Sequence, residues 1–369
     1  MGACTSDVIR IMREAAPEEC AEEWDNVGLQ VGNAERPVRR VGVALEVTRG
    51  VLNQAVRLGV DMLVTHHPLI FQPLSSVRAD VPGERILVEL VRSDIALYCA
   101  HTNLDCAELG PSAVLAEGLG LEDVEPISPR RDLLKMVVFV PEDAAEDVRR
   151  SLGRAGAGHV GNYSHCSFAV EGEGAFMPLQ GADPFIGSPG ELSRVRETRV
   201  EAILPRHLLD AVAKAVREVH PYEEPVIDVW PTDVDNLRAG MGRIGNLSRP
   251  MTADEFLEQV RGVCEPRSLR VSGRSDQISR VAVCGGAGAD LWRRALRGGA
   301  DVLLTGDISY HHAAGAAAAG MMMVDAGHAA TEQICVPGLA EYIECHLQWE
   351  GLECEVFALG PVVDPPVVL

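Results

Sequence analysis

Hydrophobic positions along the chain fall into short runs separated by amphipathic stretches, the texture of strands alternating with helices. Arg40 to Val47 reads as an apolar strand, Arg49 to Leu58 as an amphipathic helix and Asp61 to Thr65 as a short buried strand. That order predicts a parallel strand pair joined by a right-handed crossover. Glu84 to Arg92 reads as a further helix and Ile95 to Ala100 as a further buried strand. From about Arg238 the same texture returns. Val281-Ala282-Val283-Cys284, a helical stretch, Gly298-Gly299-Ala300-Asp301 and Val302-Leu303-Leu304-Thr305 echo Val41-Gly42-Val43-Ala44, Leu58-Gly59-Val60-Asp61 and Met62-Leu63-Val64-Thr65. Strand, helix, Gly, Asp, strand and Thr recur in one order, which points to a pseudo-repeat; chance similarity of two βαβ units is the alternative.

The stretch between the echoes differs. Leu134 to Val140 reads as a strand, Glu142 to Ala155 as a helix, Cys166 to Val170 and Arg199 to Leu204 as strands, Leu208 to Val219 as a helix and Val226 to Trp230 as a strand. β-α-β-β-α-β is the ferredoxin-like pattern. The expected fold class is therefore α/β. Two pseudo-repeated halves, residues 1–129 and 236–369, form one domain, and an α+β domain is inserted at 130–235.

Length, 369 residues, fits two or three domains of roughly 100–200 residues. A formal net charge of −21 works against broad nucleic-acid binding, because phosphodiester backbones are repelled. It leaves room for a small anionic substrate if bound cations invert the local field. No apolar run approaches the roughly 18 residues that cross a bilayer, and no basic region followed by an apolar stretch opens the chain. None of the ten cysteines sits in a C-x-x-C pair, and several lie in apolar runs, as reduced buried thiols of a cytoplasmic protein would.

The candidate chemistry gathers where strands end, the usual place for sites in open α/β sheets. His66-His67-Pro68 closes one strand; adjacent residues of a regular strand face opposite sides, so the strand must end there if both rings are to serve one site. His101-Thr102-Asn103-Leu104-Asp105 follows the next strand, and Asp105 is either a ligand or the cap of a helix starting near Ala107. His328 and Glu332, after the strand Met321 to Val324, are four apart and share a helix face; a solvated first turn is the alternative. Imidazole and carboxylate suit a borderline divalent metal. Five ligands, two of them carboxylates, predict a two-metal site bridged by Glu332, able to activate a shared water.

Thr305-Gly306-Asp307, His101 and His311 are candidates for orienting ligands or moving protons. His312 and His346 read as surface histidines. Trp24-Asp25-Asn26-Val27-Gly28-Leu29 is a candidate pocket wall, though Trp24 also fits a core position. Gly285-Gly286-Ala287-Gly288 reads as a tight strand-to-helix turn, with a phosphate cradle as the alternative. His220-Pro221-Tyr222-Glu223-Glu224 is a plain turn, an overhang of the metal cleft or part of a small-molecule site.

Together, Glu23 to Leu29, Thr65-His66-His67-Pro68, Asn103-Leu104-Asp105, Thr305-Gly306-Asp307-Ile308 and Gly327-His328-Ala329-Ala330-Thr331-Glu332 resemble the Nif-three-like dinuclear metal centre family, also known as GTP cyclohydrolase I type 2 homologues. The resemblance spans essentially the whole chain. Gly161-Asn162-Tyr163 and His220 to Glu224 resemble the PII-like insert of the long bacterial members. The family resemblance implies metal ligands at His66, His67, Asp105, His328 and Glu332, holding two divalent ions; Zn, Fe, Mn, Co and Ni all accept such ligands. It also implies a toroidal homohexamer. Ser309 and His312 depart from the pattern, where relatives usually carry Lys and an acidic residue. Two functions are expected on this basis: a metal-dependent hydrolase of a nucleotide or related small molecule, or a non-enzymatic metal-binding regulator or scaffold whose insert senses a ligand.

Overall fold

A computed structural model describes residues 2–362 of the chain. It is a mixed α/β protein with several sheets that divides into two compact units. One is formed by Met1–Pro129 together with Arg238–Leu369, the other by Arg130–Leu237.

The first unit carries two larger sheets. In one, strands Arg40–Ala44, Met62–Thr65 and Ala96–Cys99 run parallel, flanked by Glu355–Ala358 on one side and antiparallel Gly28–Val31 on the other. In the other, Ile278–Val283, Val302–Thr305 and Met322–Asp325 run parallel, and Arg270–Ser272, Arg243–Met251 and Leu121–Glu125 extend the sheet antiparallel. Four of these parallel strands, Met62–Thr65, Ala96–Cys99, Val302–Thr305 and Met322–Asp325, are short and wholly buried, so they read as nearly continuous apolar runs instead of alternating ones. The recurrent Gly-x-Asp has a physical job. Asp61 Oδ2 accepts from the backbone N–H of Arg39 (2.8 Å) and Arg40 (3.1 Å). Asp301 Oδ2 does the same for Ser279 (2.8 Å) and Arg280 (2.9 Å). Each aspartate ties the start of its own strand to the start of the neighbouring one.

The helix Arg49–Leu58 forms where its pattern predicts. Thr48 Oγ1 accepts from the Val51 N–H, and Gly59 closes the end with φ +65°, a conformation costly for any side chain. Sheet membership does not follow chain order. Leu121–Glu125, early in the chain, is an edge of the second sheet, and Glu355–Ala358, near its end, pairs with Arg40–Ala44 in the first. The helix Cys335–Trp349 likewise packs Val336, Leu339, Ile343 and Leu347 into the core around Val41, Leu63 and Leu97. A helix that begins beyond a strand of the second sheet thus buries its apolar face against the first. That crossing carries His328 and Glu332, just before it, toward the His66 strand end.

The second unit has the connectivity β-α-β-β-α-β. Its sheet has the order Ser167–Phe176, Ser193–Pro205, Leu133–Pro141, Ile227–Pro231, all antiparallel. Helices Ala145–Arg154 and Leu209–Val219 cover one face, over Met136, Val138, Val140, Val200 and Leu204. Ser167–Phe176 and Ser193–Pro205 are longer than their apolar patterns predicted, because they form a ten-pair hairpin whose outer positions are mostly polar residues and glycines.

Candidate metal centre

The strand Met62–Thr65 stops at His66, and the chain turns there because the Thr65 hydroxyl donates to the His67 carbonyl (3.0 Å). Both rings then face one site, with centroids 5.1 Å apart. His66 is 1% exposed, and its Nδ1 lies 3.0 Å from the Ala100 carbonyl. That contact makes Nδ1 the donor and leaves Nε2 with its lone pair toward the site. Nε2 is 3.5 Å from Asp105 Oδ1 and 3.6 Å from Glu332 Oε1. Asp105 ends the short helix Thr102–Asp105; the next helix, Pro111–Gly118, starts after Gly110, so Asp105 caps nothing there.

Glu332, buried to 4% exposure, is the hub. Its Oε2 lies 2.8 Å from His67 Nε2 and 3.2 Å from His328 Nε2. Despite those distances, Glu332 Oε2 and His66 Nε2 are buried polar atoms without a hydrogen-bond partner. Short approaches that miss hydrogen-bond alignment, with two buried ligand atoms left without a hydrogen-bond partner, are what a set of metal ligands presents. His66, Asp105 and Glu332 form one group whose ligand atoms all lie within 4.8 Å of one another; His67, His328 and Glu332 form a second, and His66, His67 and His101 a third. These clusters could hold metal ions.

Electrostatics follow from that crowding. Burial disfavours the His67 imidazolium, but Glu332 and Glu46 outweigh it and raise the pKa to about 10. At His328, Glu332 dominates; burial opposes, Asp307 adds, and the pKa rises to about 9. Burial alone would raise Glu332, yet His328, His66 and His67 hold it well below the usual carboxylate range. Asp105 moves the other way, pushed up by burial and the nearby Glu332 charge despite His66.

Outer partners fix the rings. Asp307 Oδ2 is 2.7 Å from His328 Nδ1, and the Asp307 backbone takes φ +53° to place it. Asp25, with a fully buried side chain, takes His101 Nδ1 at 2.9 Å and the Thr102 N–H and hydroxyl at 3.0 and 2.6 Å. The bond from Nδ1 leaves His101 Nε2 available beside His66 and His67. Arg243, 5% exposed, donates to the carbonyls of Gly240, Gly242, Cys106 and Ala107 at 2.6 to 3.2 Å. It thereby ties down the backbone just beyond Asp105.

The turn Gly285-Gly286-Ala287-Gly288 is a wall of the site, not a phosphate cradle. The N–H groups of Gly285, Gly286 and Gly288 are taken by Ser112, Thr331 and Thr305. Gly286 has φ +60°, and a Cβ there would lie 2.1 Å from Glu332 Oε1. Only glycine admits the carboxylate.

Among the other sequence candidates, His311 is exposed on the helix Tyr310–Ala318, its ring against Tyr310, and belongs to none of the three groups. Ser309 caps that helix, accepting from the His312 N–H. His312 and His346 are half-buried, not open surface positions; the His346 ring lies 4.0 Å from that of Tyr342, one turn earlier. Trp24 is no core residue: it is 59% exposed, edge-on to Phe71 and His101. In the second unit, His220 Nε2 is 2.9 Å from the Phe139 carbonyl and Nδ1 accepts from the Tyr222 N–H at 3.0 Å, so both nitrogens are satisfied. Sequence reasoning missed Glu46, the partnership of Asp25 with His101, and Arg243. The Trp-Asp-Asn run was the one signal that could have found Asp25.

Fold and site together define an α/β protein with a histidine–carboxylate cluster gathered at strand ends and suited to metal ions. A sequence model of the Duf34/NIF3 family (NGG1p interacting factor 3) matches residues 3–361. The chain belongs to that family. It is 41% identical over 361 residues to the GTP cyclohydrolase 1 type 2 homolog of Halalkalibacterium halodurans, covering 97% of both chains. It is also 41% identical over 335 residues to the Bacillus subtilis protein of the same name, covering 90% of both. The crystal structure of a Bacillus cereus protein related to NIF3 superposes with TM-score 0.89 at 39% identity, covering 100% of both chains. No helix among the described residues is long and apolar enough to cross a membrane.

Proposed function

We propose that this protein binds two divalent metal ions and uses them as a hydrolase of a nucleotide or related small molecule, in line with the cyclohydrolase name its relatives carry. The observation that carries the reading is the double membership of Glu332. One group pairs it with His66 and Asp105, the other with His67 and His328. Its Oε1 is the oxygen near His66 and its Oε2 the one near His67 and His328. A carboxylate presenting one oxygen to each of two ligand groups would bridge ions held by them. Ions held there supply Lewis acidity toward a water or substrate oxygen. Ligand chemistry admits Zn, Fe, Mn, Co or Ni. His101, anchored through Nδ1 on Asp25, offers Nε2 to accept and return a proton.

The like-placed aspartate clamps and parallel strand triplets support reading the two sheets as duplicated halves, and the β-α-β-β-α-β unit supports a PII-like insert. A homohexamer and a reducing, cytoplasmic setting complete the proposal; ten cysteines held as thiols suit the latter. A second reading, a metal-binding regulator with a ligand-sensing insert, is favoured by one observation: a cavity of about 350 Å³ in the second unit.

Metal analysis after reconstitution, with a subsequent nucleotide and phosphoester panel including GTP, tests the proposal. It expects two ions per chain, metal-dependent turnover, and loss of both in Glu332→Gln. One ion per chain, or turnover that survives chelation, overturns it. Two ions without turnover of any panel member decides for the regulator.

A further inference from the structure

The cavity of the second unit lies under the loop that joins Ser167–Phe176 to Ser193–Pro205. The loop folds back on itself, with the Gly190 N–H donating to the Pro178 carbonyl (2.8 Å). The cavity's volume, about 350 Å³, is within the range of small-molecule sites. Aromatic rings make up much of its wall. Tyr222 stands 5.6 Å from Phe176 and 6.4 Å from Phe185, at interplanar angles of 63° and 52°, and Phe139 adds a fourth ring. Rings at such angles meet edge to face or tilted, not stacked, and all four line the cavity.

The polar part of the lining has one sign. Of the fifteen lining residues, three are glutamates (Glu197, Glu223 and Glu224) and none is Lys, Arg or His. Glu197 is built in. A Cβ on Gly174, across the hairpin, would lie 2.1 Å from Glu197 Oε2, so the glycine gives the carboxylate its place. Its Oε1 accepts from the Tyr222 hydroxyl at 2.9 Å. Glu223 Oε2 accepts from the Asp183 N–H at 3.0 Å, which ties the loop over the cavity to the His220-Pro221-Tyr222-Glu223 turn. Each of these two carboxylates spends one oxygen on these bonds, and both residues line the cavity. An anion such as a nucleotide phosphate meets three carboxylates and no cationic side chain here. A cation meets carboxylates and the negative faces of aromatic rings, the pairing that recognises organic ammonium groups.

We propose that this cavity is a binding site for a small organic ammonium ion with an apolar body, its charge between Glu197 and Tyr222 and its apolar part against Phe139, Phe176 and Phe185. The site stands whichever reading of the metal centre is correct, since it uses none of the metal-centre residues. It also gives His220 a purpose: with both nitrogens engaged, the ring fixes the backbone from which Tyr222 projects.

Calorimetric titration of the full chain with phenethylamine, phenethyl alcohol and phenylacetate, three probes of similar shape and different charge, tests it. The amine should bind saturably, the alcohol at least about tenfold more weakly, and the acid not at all. Glu197→Gln should erase the preference for amine over alcohol. Phe176→Leu, which keeps the carboxylates, should weaken the amine while preserving the order. Equal binding of amine and alcohol, preferred binding of the acid, or no amine binding at millimolar concentration because a second copy of the chain closes the cavity would each overturn the proposal.

Discussion

His67 and His220 look alike in the sequence. Each ends a regular element and precedes a proline, His67-Pro68 after a strand and His220-Pro221 after a helix. Their surroundings separate them. His67 faces Glu332 and Glu46, and its pKa climbs to about 10 although burial opposes the charge. His220 has no carboxylate bonded to it; burial dominates and pushes its pKa down, against smaller contributions from the Phe139 carbonyl and Glu197. One ring has both nitrogens spent on backbone groups, the other points Nε2 at a carboxylate oxygen without hydrogen-bond alignment. A histidine reads as a ligand when its lone pair is left over, and as structure when nothing is.

The sharpest way to break this comparison is to delete each ring. His67→Ala should drop bound metal by at least one ion per chain, read by metal analysis, with the second unit's unfolding unchanged. His220→Ala should leave metal content intact and destabilise the second unit by about 1–3 kcal/mol, because the Phe139 carbonyl and the Tyr222 N–H lose a buried partner. Denaturant unfolding measures it. If His220→Ala also lost metal, the distinction between the two rings would collapse.

Gly286→Ala probes the same difference without replacing a proposed ligand. The added methyl meets Glu332 Oε1, and φ +60° is strained for alanine. Strain of about 1–3 kcal/mol should appear in thermal unfolding, together with loss of metal. An unaltered metal count would mean that Glu332 is free to move and is no fixed bridge. Asp307→Asn is gentler. It keeps the shape but weakens the hold on His328 Nδ1, and outer-partner losses typically cost roughly 10- to 100-fold in metal affinity. Competition with a chelator should show that loss for one ion and spare the other.

Much of this was legible because burial leaves a local trace. Met62–Thr65, Ala96–Cys99 and Val302–Thr305 are short apolar runs of the kind that strands between covered faces produce, and chemistry gathers at the carboxyl ends of such strands. His328 and Glu332 share a face by spacing alone. The outer partners left no such trace. Asp25 is 76 residues from His101, Glu46 sits in a loop, and Arg243 spends its charge on four carbonyls. Nothing in period or spacing marks a contact made only by the closing of the fold. Nor did the pattern show that Glu355–Ala358 crosses to the first sheet, since parallel edge pairing needs only a free edge and a matching strand.

The smallest effect is a titration, and its sign discriminates. A histidine held neutral by folding binds its proton more readily in the unfolded chain, so stability rises with pH wherever the unfolded state carries the extra proton. For His220, whose folded pKa is lowered, the contribution is complete above the unfolded value of about 6.5 and is lost as pH falls below it toward the folded pKa. Unfolding of the second unit should therefore become easier from about pH 7 to pH 5, with a slope of no more than one proton, and His220→Gln should flatten that slope. A slope of opposite sign would mean that Glu197 and its neighbours hold His220 charged, and that it resembles His67 after all.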